Sequence, residues 1–249
     1  MIKTKNVSFV ALALTCLFMI SGCETAKSIL GSMDTGGLTK QEVSSGLKEA
    51  LKVGTDSATF HLGLLNGFYK DDMIKILMPP EAVKVEKALR DIGMGSLVDK
   101  AVLSMNRAAE DASKYVGNIF LDAIKQMTIQ DAFGILKGGD FAATDYLKQK
   151  TTAQLTAAFK PVISKSLEFT EATKYWKDVF SVYNKVSKQP VDPDLTNYVT
   201  DKALAGLYYH VGLEEQKIRT NPAARVTEIL KRVFGNTAAA AKPSGGFGL

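Results

Sequence analysis

Asn106, Arg107 and Glu110 stand at i, i+1 and i+4 within Ser104-Met105-Asn106-Arg107-Ala108-Ala109-Glu110, polar groups set into a run of otherwise small or apolar residues. On a helix this spacing puts Asn106 and Glu110 on one face and brings Arg107 within reach of Glu110 or of a carboxylate on a neighbouring helix. Two arrangements fit: a charge-assisted network between helices, or a solvated face carrying a local salt bridge. A second polar run, Asp122-Ala123-Ile124-Lys125-Gln126-Met127-Thr128, follows on the same stretch. Carboxylate catalysis, as in glycoside hydrolysis, assembles from residues distant in sequence, so Glu110 and Asp145 keep a hydrolase reading open.

Other chemical handles are sparse. His61 and His210 are the only histidines, far apart and outside any metal-ligand spacing. Glu214 follows His210 at i+4, but the paired Glu-x-x-His elements of helical metal sites are missing. There is no Gly-x-Ser-x-Gly elbow, no phosphate loop and no dinucleotide glycine pattern, and Gly93-Met94-Gly95-Ser96 reads as a helix linker. The expectation is therefore no metal, no cofactor and a noncatalytic role.

The best-defined chemical position is Cys23. Lys3 and Lys5 precede an apolar run, Val7 to Ile20, of about 14 residues, short of the roughly 20 that cross a bilayer. Ile20-Ser21-Gly22-Cys23 resembles the lipobox of bacterial lipoprotein signal peptides, which implies cleavage before Cys23 and lipid on its thiol. The remaining cysteine, Cys16, would leave with the signal peptide, so the exported chain would hold no disulfide and one blocked thiol. Loss of residues 1–22 takes the formal charge from +5 to +3, with 29 basic against 26 acidic residues, too weak a balance to imply a nucleic-acid partner. Glu24 is not the Asp that resembles an inner-membrane retention signal, which points to the outer membrane, facing the periplasm.

Residues 23–38 read as the lipidated cysteine and a flexible tether whose coil reach is on the order of 20 Å, and residues 236–249 as a disordered Ala, Pro and Gly tail. Between them, residues 39–235 carry apolar residues at helical spacing. A first helix opens at Thr39, with Val43, Leu47, Leu51, Ala58, Leu62 and Leu65 as its stripe, and stops at Asn66-Gly67. Phe68 to Met78 reads as a loop or a brief extended piece. Pro79-Pro80 starts a short helix with Ala82, Val85, Leu89 and Ile92 facing the core. Ser96-Leu97-Val98-Asp99 has capping-box spacing and opens a long helix reaching Met127, with Gly117 as its weak point.

Thr128-Ile129-Gln130-Asp131 repeats the cap for a helix ending at Gly138-Gly139, and Asp140 can cap the next, which runs to about Phe169 with a kink or break at Pro161. Glu171 to Val186 forms a helix through Tyr175, Val179, Val182 and Val186. After the Gln189–Asp194 loop, Asp194 caps a helix carrying Tyr198, Ala203, Leu207 and His210, and Asn221-Pro222 opens the last one, ending at Gly235. No segment alternates with period two, so the expected fold is one all-α, bundle-like domain of seven or eight helices.

Several of these blocks carry a family resemblance. Gly46-Leu47-Lys48-Glu49-Ala50-Leu51, Gly67-Phe68-Tyr69, the Asn106 and Lys125 runs, Gly138-Gly139-Asp140, Ala143-Thr144-Asp145-Tyr146, Phe159-Lys160-Pro161 and Asn221-Pro222-Ala223-Ala224-Arg225 resemble the bacterial family called domain of unknown function 4197 (DUF4197). The likeness runs from about Leu38 to Gly235 and implies no activity, cofactor or catalytic residue. Because its blocks include polar runs, it points to Asn106, Arg107, Glu110, Lys125, Asp145 and Arg225 as one inter-helix polar network or pocket. A buried network of this kind must satisfy itself, since each unpaired group costs about 1 to 3 kcal/mol.

The role expected from these features is a noncatalytic, lipid-anchored cell-envelope protein, held to the membrane through Cys23 and binding a protein partner or a small ligand nearby. The alternatives are a carboxylate-dependent periplasmic hydrolase and a carrier of an amphiphile in a cavity between helices.

Overall fold

Helix α1 (Lys40–Gly63) starts with a reciprocal cap: the Thr39 hydroxyl accepts the Glu42 N–H, and the Glu42 carboxylate accepts the Thr39 N–H, satisfying donors that a helix start leaves open. The computed structural model describes residues 38–168, 171–186 and 194–235. The expected signal peptide, Cys23, the expected tether up to residue 37, residues 169–170, the 187–193 part of the loop before Asp194 and the expected 236–249 tail lie outside the described residues. Leu38, read as the last tether residue, is buried in the core.

A 3-10 turn at Pro80–Ala82 leads into α2 (Val83–Asp91), followed by α3 (Gly95–Ser113), α4 (Gly117–Gln126), α5 (Ile129–Lys137) and α6 (Ala142–Glu168). Then come α7 (Glu171–Val186), α8 (Leu195–Thr220), a 3-10 turn at Pro222–Ala224 and α9 (Glu228–Gly235). The fold is all-α, with nine α-helices and no strand among the described residues. At its centre α8 packs on α1, α3 and α6, and α3 packs on α6; α4, α5 and α9 close around α1, while α7 lies on α3 and α6. One hydrophobic cluster joins these helices.

The α6 stripe shows how the sequence achieves this. Leu147, Thr151, Leu155, Phe159, Ile163 and Leu167 recur every four residues and are all buried, one ridge facing the centre. Thr151 is tolerated in that ridge because its hydroxyl donates to the Leu147 carbonyl and lies 2.9 Å from the Tyr208 hydroxyl of α8. At α5 the expected cap forms: the Thr128 hydroxyl accepts the Asp131 N–H, and the Asp131 carboxylate accepts from the Thr128 N–H and hydroxyl. The Thr128 N–H, and then its hydroxyl, hold the Asp131 carboxyl below its ordinary pKa. This contribution is present above the unfolded carboxylate value of about 3.9 and is lost as pH falls through the lowered one.

Several expectations are corrected. The helix read from Ser96 to Met127 is two, α3 and α4, which brings the count among the described residues to nine where seven or eight were expected; the break spans 114–116, immediately before Gly117. At that point the Ser113 hydroxyl bonds back to the Ala109 carbonyl, and Val116 turns fully into the core, a combination that bends a helix. The capping box at Ser96 does not form: α3 begins at Gly95 without a side-chain cap, and Asp99 accepts from Arg90 Nη2 at 2.9 Å instead. Pro161 does not break α6, which runs through it. Pro161 and Ala157, whose carbonyl loses its donor, are both exposed, so water can take the vacated bond.

Asn221-Pro222 opens only the short 3-10 turn, and α9 starts later, at Glu228. Ile92 and Leu65, read as core positions, are 70% and 74% exposed, since each lies just past the end of its helix. Among the described side chains of α7, Trp176 and Phe180 are buried, with ring centroids 4.2 Å apart; the expected row of Tyr175, Val179, Val182 and Val186 lies outside the described side chains.

Packing between α8 and the 64–79 segment is close enough to forbid a methyl group. A Cβ on Gly206 would stand 2.7 Å from the Phe68 ring and 3.2 Å from Ile74 Cβ, and Phe68 is fully buried. Gly134 in α5 has nothing within 4 Å of that position and is exposed. The two substitutions should have opposite signs in urea unfolding. Gly134→Ala is expected to stabilise by about 0.5–1 kcal/mol through helix propensity, whereas Gly206→Ala is expected to destabilise by about 1–2 kcal/mol, overpacking outweighing the same propensity gain.

Candidate functional site

The segment between α1 and α2 contains no α-helix and is held by side chains from its neighbours. It begins at Asn66, whose φ of 71° is the left-handed conformation that Asn tolerates. Gly67 follows where a Cβ would lie 2.4 Å and 2.6 Å from the His61 and Leu62 carbonyl oxygens, so only glycine fits. This turn directs the Phe68 and Tyr69 N–H groups at Glu110 Oε1 of α3, 3.2 Å from each. Glu110 is buried, and its charge is met by Arg107, which donates to Oε2 and, through Nη2, to Asn66 Oδ1 at 2.8 Å.

One turn earlier on α3, Asn106 is fully buried and treats Ile76 as a strand neighbour would. Its Oδ1 accepts the Ile76 N–H at 2.9 Å, and its Nδ2 donates to the Ile76 carbonyl at 2.8 Å and to the Val102 carbonyl at 2.7 Å. From α8, the Tyr198 hydroxyl donates to the Leu77 carbonyl at 3.0 Å, and His210 Nε2 lies 2.8 Å from Asp71 Oδ2. An irregular segment is thereby fixed at several points, with Phe68, Ile74, Ile76 and Met78 buried beneath it.

Fixing this segment creates a cleft. Tyr69, Lys75, Leu77 and Met78 line it from the 68–78 segment, Glu86 and Arg90 from α2, and Asp99 and Val102 from α3, around a space of about 190 Å³. Arg90 donates to Asp99 and to Glu86 at 2.9 Å and 3.0 Å, and these bonds, Asp99 first, raise its pKa further. The Lys75 ammonium stands 4.4 Å from the centre of the Tyr69 ring.

A second buried centre joins helix ends. Glu215 of α8 accepts the Ala143 and Thr144 N–H groups at 2.9 Å and 2.8 Å and the Thr144 hydroxyl at 2.8 Å. It supplies the start of α6 with the acceptor that Asp140 was expected to provide, and its negative charge suits a helix N-terminus. Arg219, one turn along α8, pairs with Glu215 and donates to the Ile135 carbonyl at the end of α5. Arg225 donates to the Ile218 and Arg219 carbonyls at the end of α8. Beneath this centre is an apolar cavity of about 20 Å³ bordered by Leu47, Leu51, Val211, Ile218 and Phe234, room for about one water molecule.

The residues singled out from the sequence therefore fall into separate places. Asn106, Arg107 and Glu110 meet at the 66–78 segment, and Arg225 sits at the second centre. Lys125 is exposed beside Asp122, its carbonyl accepting from Lys48 Nζ, and Asp145 is an exposed residue in the first turn of α6. No hydrogen bond or ion pair among the described residues joins Lys125, Asp145 or Arg225 to the Asn106, Arg107 and Glu110 group. Glu214 pairs with Lys217 rather than His210, and no group of three metal-ligating side chains gathers among the described residues.

Sequence reasoning missed Asn66, Glu215 and Arg219. Glu215 and Arg219 are spaced i, i+4 on a recognisable helix, the one signal that could have flagged them.

The molecule is thus an all-helical domain in which carboxylate–guanidinium pairs hold an irregular segment and two helix ends, and Arg225 alone holds a third. The profile of the family described as "Protein of unknown function (DUF4197)" matches residues 37–235, and the chain belongs to that family. Neither curated proteins nor solved structures give a match.

The two centres differ in exposure. The Arg219 side chain is 13% exposed and that of Arg107 31%, so neutralising the carboxylate strands a more buried charge in the first case. Glu215→Gln is expected to lower unfolding free energy by about 3–5 kcal/mol. Glu110→Gln should cost about 1–3 kcal/mol, and chemical denaturation of both variants checks the order.

Proposed function

We propose that the chain is a noncatalytic, lipid-anchored cell-envelope protein that binds a small ligand in the cleft between the 68–78 segment and α2. The observation that carries this reading is the cost of the wall: two buried side chains of α3, Asn106 and Glu110, are committed to the backbone of one irregular segment, and Arg107 ties Glu110 to the Asn66 side chain at its start. Ordering irregular backbone costs about 1–2 kcal/mol per residue, and a rigid wall lowers the cost of binding. The cleft, at about 190 Å³, is smaller than the roughly 300–1,000 Å³ of pockets for drug-sized ligands and suits only a small molecule. Carriage of an amphiphile between helices has less support, since the interior cavity holds about one water. The hydrolase reading is weakened in the same way, with Glu110 spent on two backbone N–H groups and Asp145 outside the cleft lining.

A specific observation also favours a protein partner as a second reading. Phe60 and Leu64, 65% and 46% exposed, line a shallow groove with Lys114 at the end of α1. A photo-crosslinker replacing the exposed Leu65 should capture one reproducible envelope protein in cells, and capture of none removes this reading.

The anchor and the ligand site are tested apart. Labelling cells with an alkyne fatty acid should mark the wild-type chain, and Cys23→Ser should abolish the label and release the protein from membranes. A fragment screen read by NMR should shift Tyr69, Lys75 and Val102, and Leu77→Trp should remove those shifts; fragments that gather elsewhere would refute the cleft.

A further inference from the structure

Resting on the cleft reading above, we propose that its ligand is a small zwitterion carrying an apolar group, such as an apolar α-amino acid. The charges lining the cleft are separated by sign. On one wall the Lys75 ammonium makes no ion pair among the described residues; its contact is the face of the Tyr69 ring. On the other, a single guanidinium, Arg90, serves two carboxylates, Glu86 and Asp99. That group carries a net charge of −1 and keeps carboxylate oxygens that Arg90 does not occupy.

The four lining charges cancel, so the cleft as a whole attracts neither a simple anion nor a simple cation, while each wall separately wants a counter-charge. A ligand with a carboxylate or phosphate at one end and an ammonium at the other meets both demands at once. Between the two walls, Leu77, Met78 and Val102 offer apolar surface for the ligand's side chain.

The wall bearing Lys75 is fixed by the Asn106 and Glu110 bonds. The opposite wall is carried by α2, which has no fully buried residue and packs chiefly on α3. Its junction with α3 passes through Gly93, at φ 83° with open space around it. The rigid wall sets the anion's position, and the acidic wall can adjust to the length of the ligand.

The same zwitterion chemistry occurs in free amino acids and in the headgroup of phosphatidylethanolamine, and calorimetry on the purified protein separates them. The probes are leucine, N-acetylleucine, leucinamide and dihexanoylphosphatidylethanolamine. Leucine binding, with N-acetylleucine and leucinamide each weaker by about tenfold or more, supports a free amino acid. Binding of the short-chain phospholipid alone supports the headgroup.

Variants assign the walls. Lys75→Met should weaken leucine and N-acetylleucine but leave leucinamide unchanged, and Asp99→Asn should weaken leucine and leucinamide but leave N-acetylleucine unchanged. Melting temperatures check that both variants fold. The inference is overturned if both zwitterions fail to bind, or if the charge-blocked analogues bind as tightly as leucine. Should an uncharged fragment occupy the cleft and be expelled by Leu77→Trp while both zwitterions fail, the cleft reading stands and the zwitterion falls.

Discussion

The Glu215 carboxylate is the contact on which most of the fold converges. It closes the start of α6 through two backbone N–H groups, and its partner Arg219 closes the end of α5. Removing such a charge from water costs several kcal/mol unless every lone pair finds a donor. Here the donors are a helix start, a threonine hydroxyl and a guanidinium, all within 2.9 Å. Arg225 extends the arrangement to the end of α8. The register of α6 against α8, and with it the fit of Leu147, Leu155 and Phe159 into the core, follows from where this carboxylate lies.

Glu110 repeats the logic in a different setting. In place of a helix start it holds two N–H groups of an irregular segment, and Asn106 completes the work by bonding both polar groups of Ile76. Buried polar groups of α3 thereby impose a shape on neighbouring residues that have no regular hydrogen-bond pattern of their own. Tyr69 and Lys75 owe their place in the cleft to these bonds.

The sequence makes legible whatever is decided locally. Thr128 and Asp131 stand three residues apart and cap α5 as their types dictate. The stripes of α1 and α6 are visible because period alone sets which face is buried. Asn106, Arg107 and Glu110 are recognisable as a polar set on one helix. The partners of Asn106 and Glu110, however, include backbone groups about thirty to forty residues away, and a backbone group carries no residue-type signature. The same reason hides Glu215, which acts 71 residues from Thr144. At Ser96 the local signal is present and fails, because Arg90 offers Asp99 a charged partner. The break before Gly117 escapes periodicity altogether, since α3 and α4 continue nearly the same apolar row while turning toward different neighbours.

The distance in sequence between Glu215 and the helix it caps also bears on how the chain acquires its structure. Until α8 exists, the first turn of α6 has no acceptor for the N–H groups of Ala143 and Thr144, and the 66–78 segment lacks its ties to Tyr198 and His210. Contacts that close over long loops form late and fall apart together. The ties that fix α6 and the 66–78 segment depend on α8, the element that completes both. A chain stopped before residue 195 would therefore be a poor substitute for the domain, and more exposed to proteolysis than its helical content suggests.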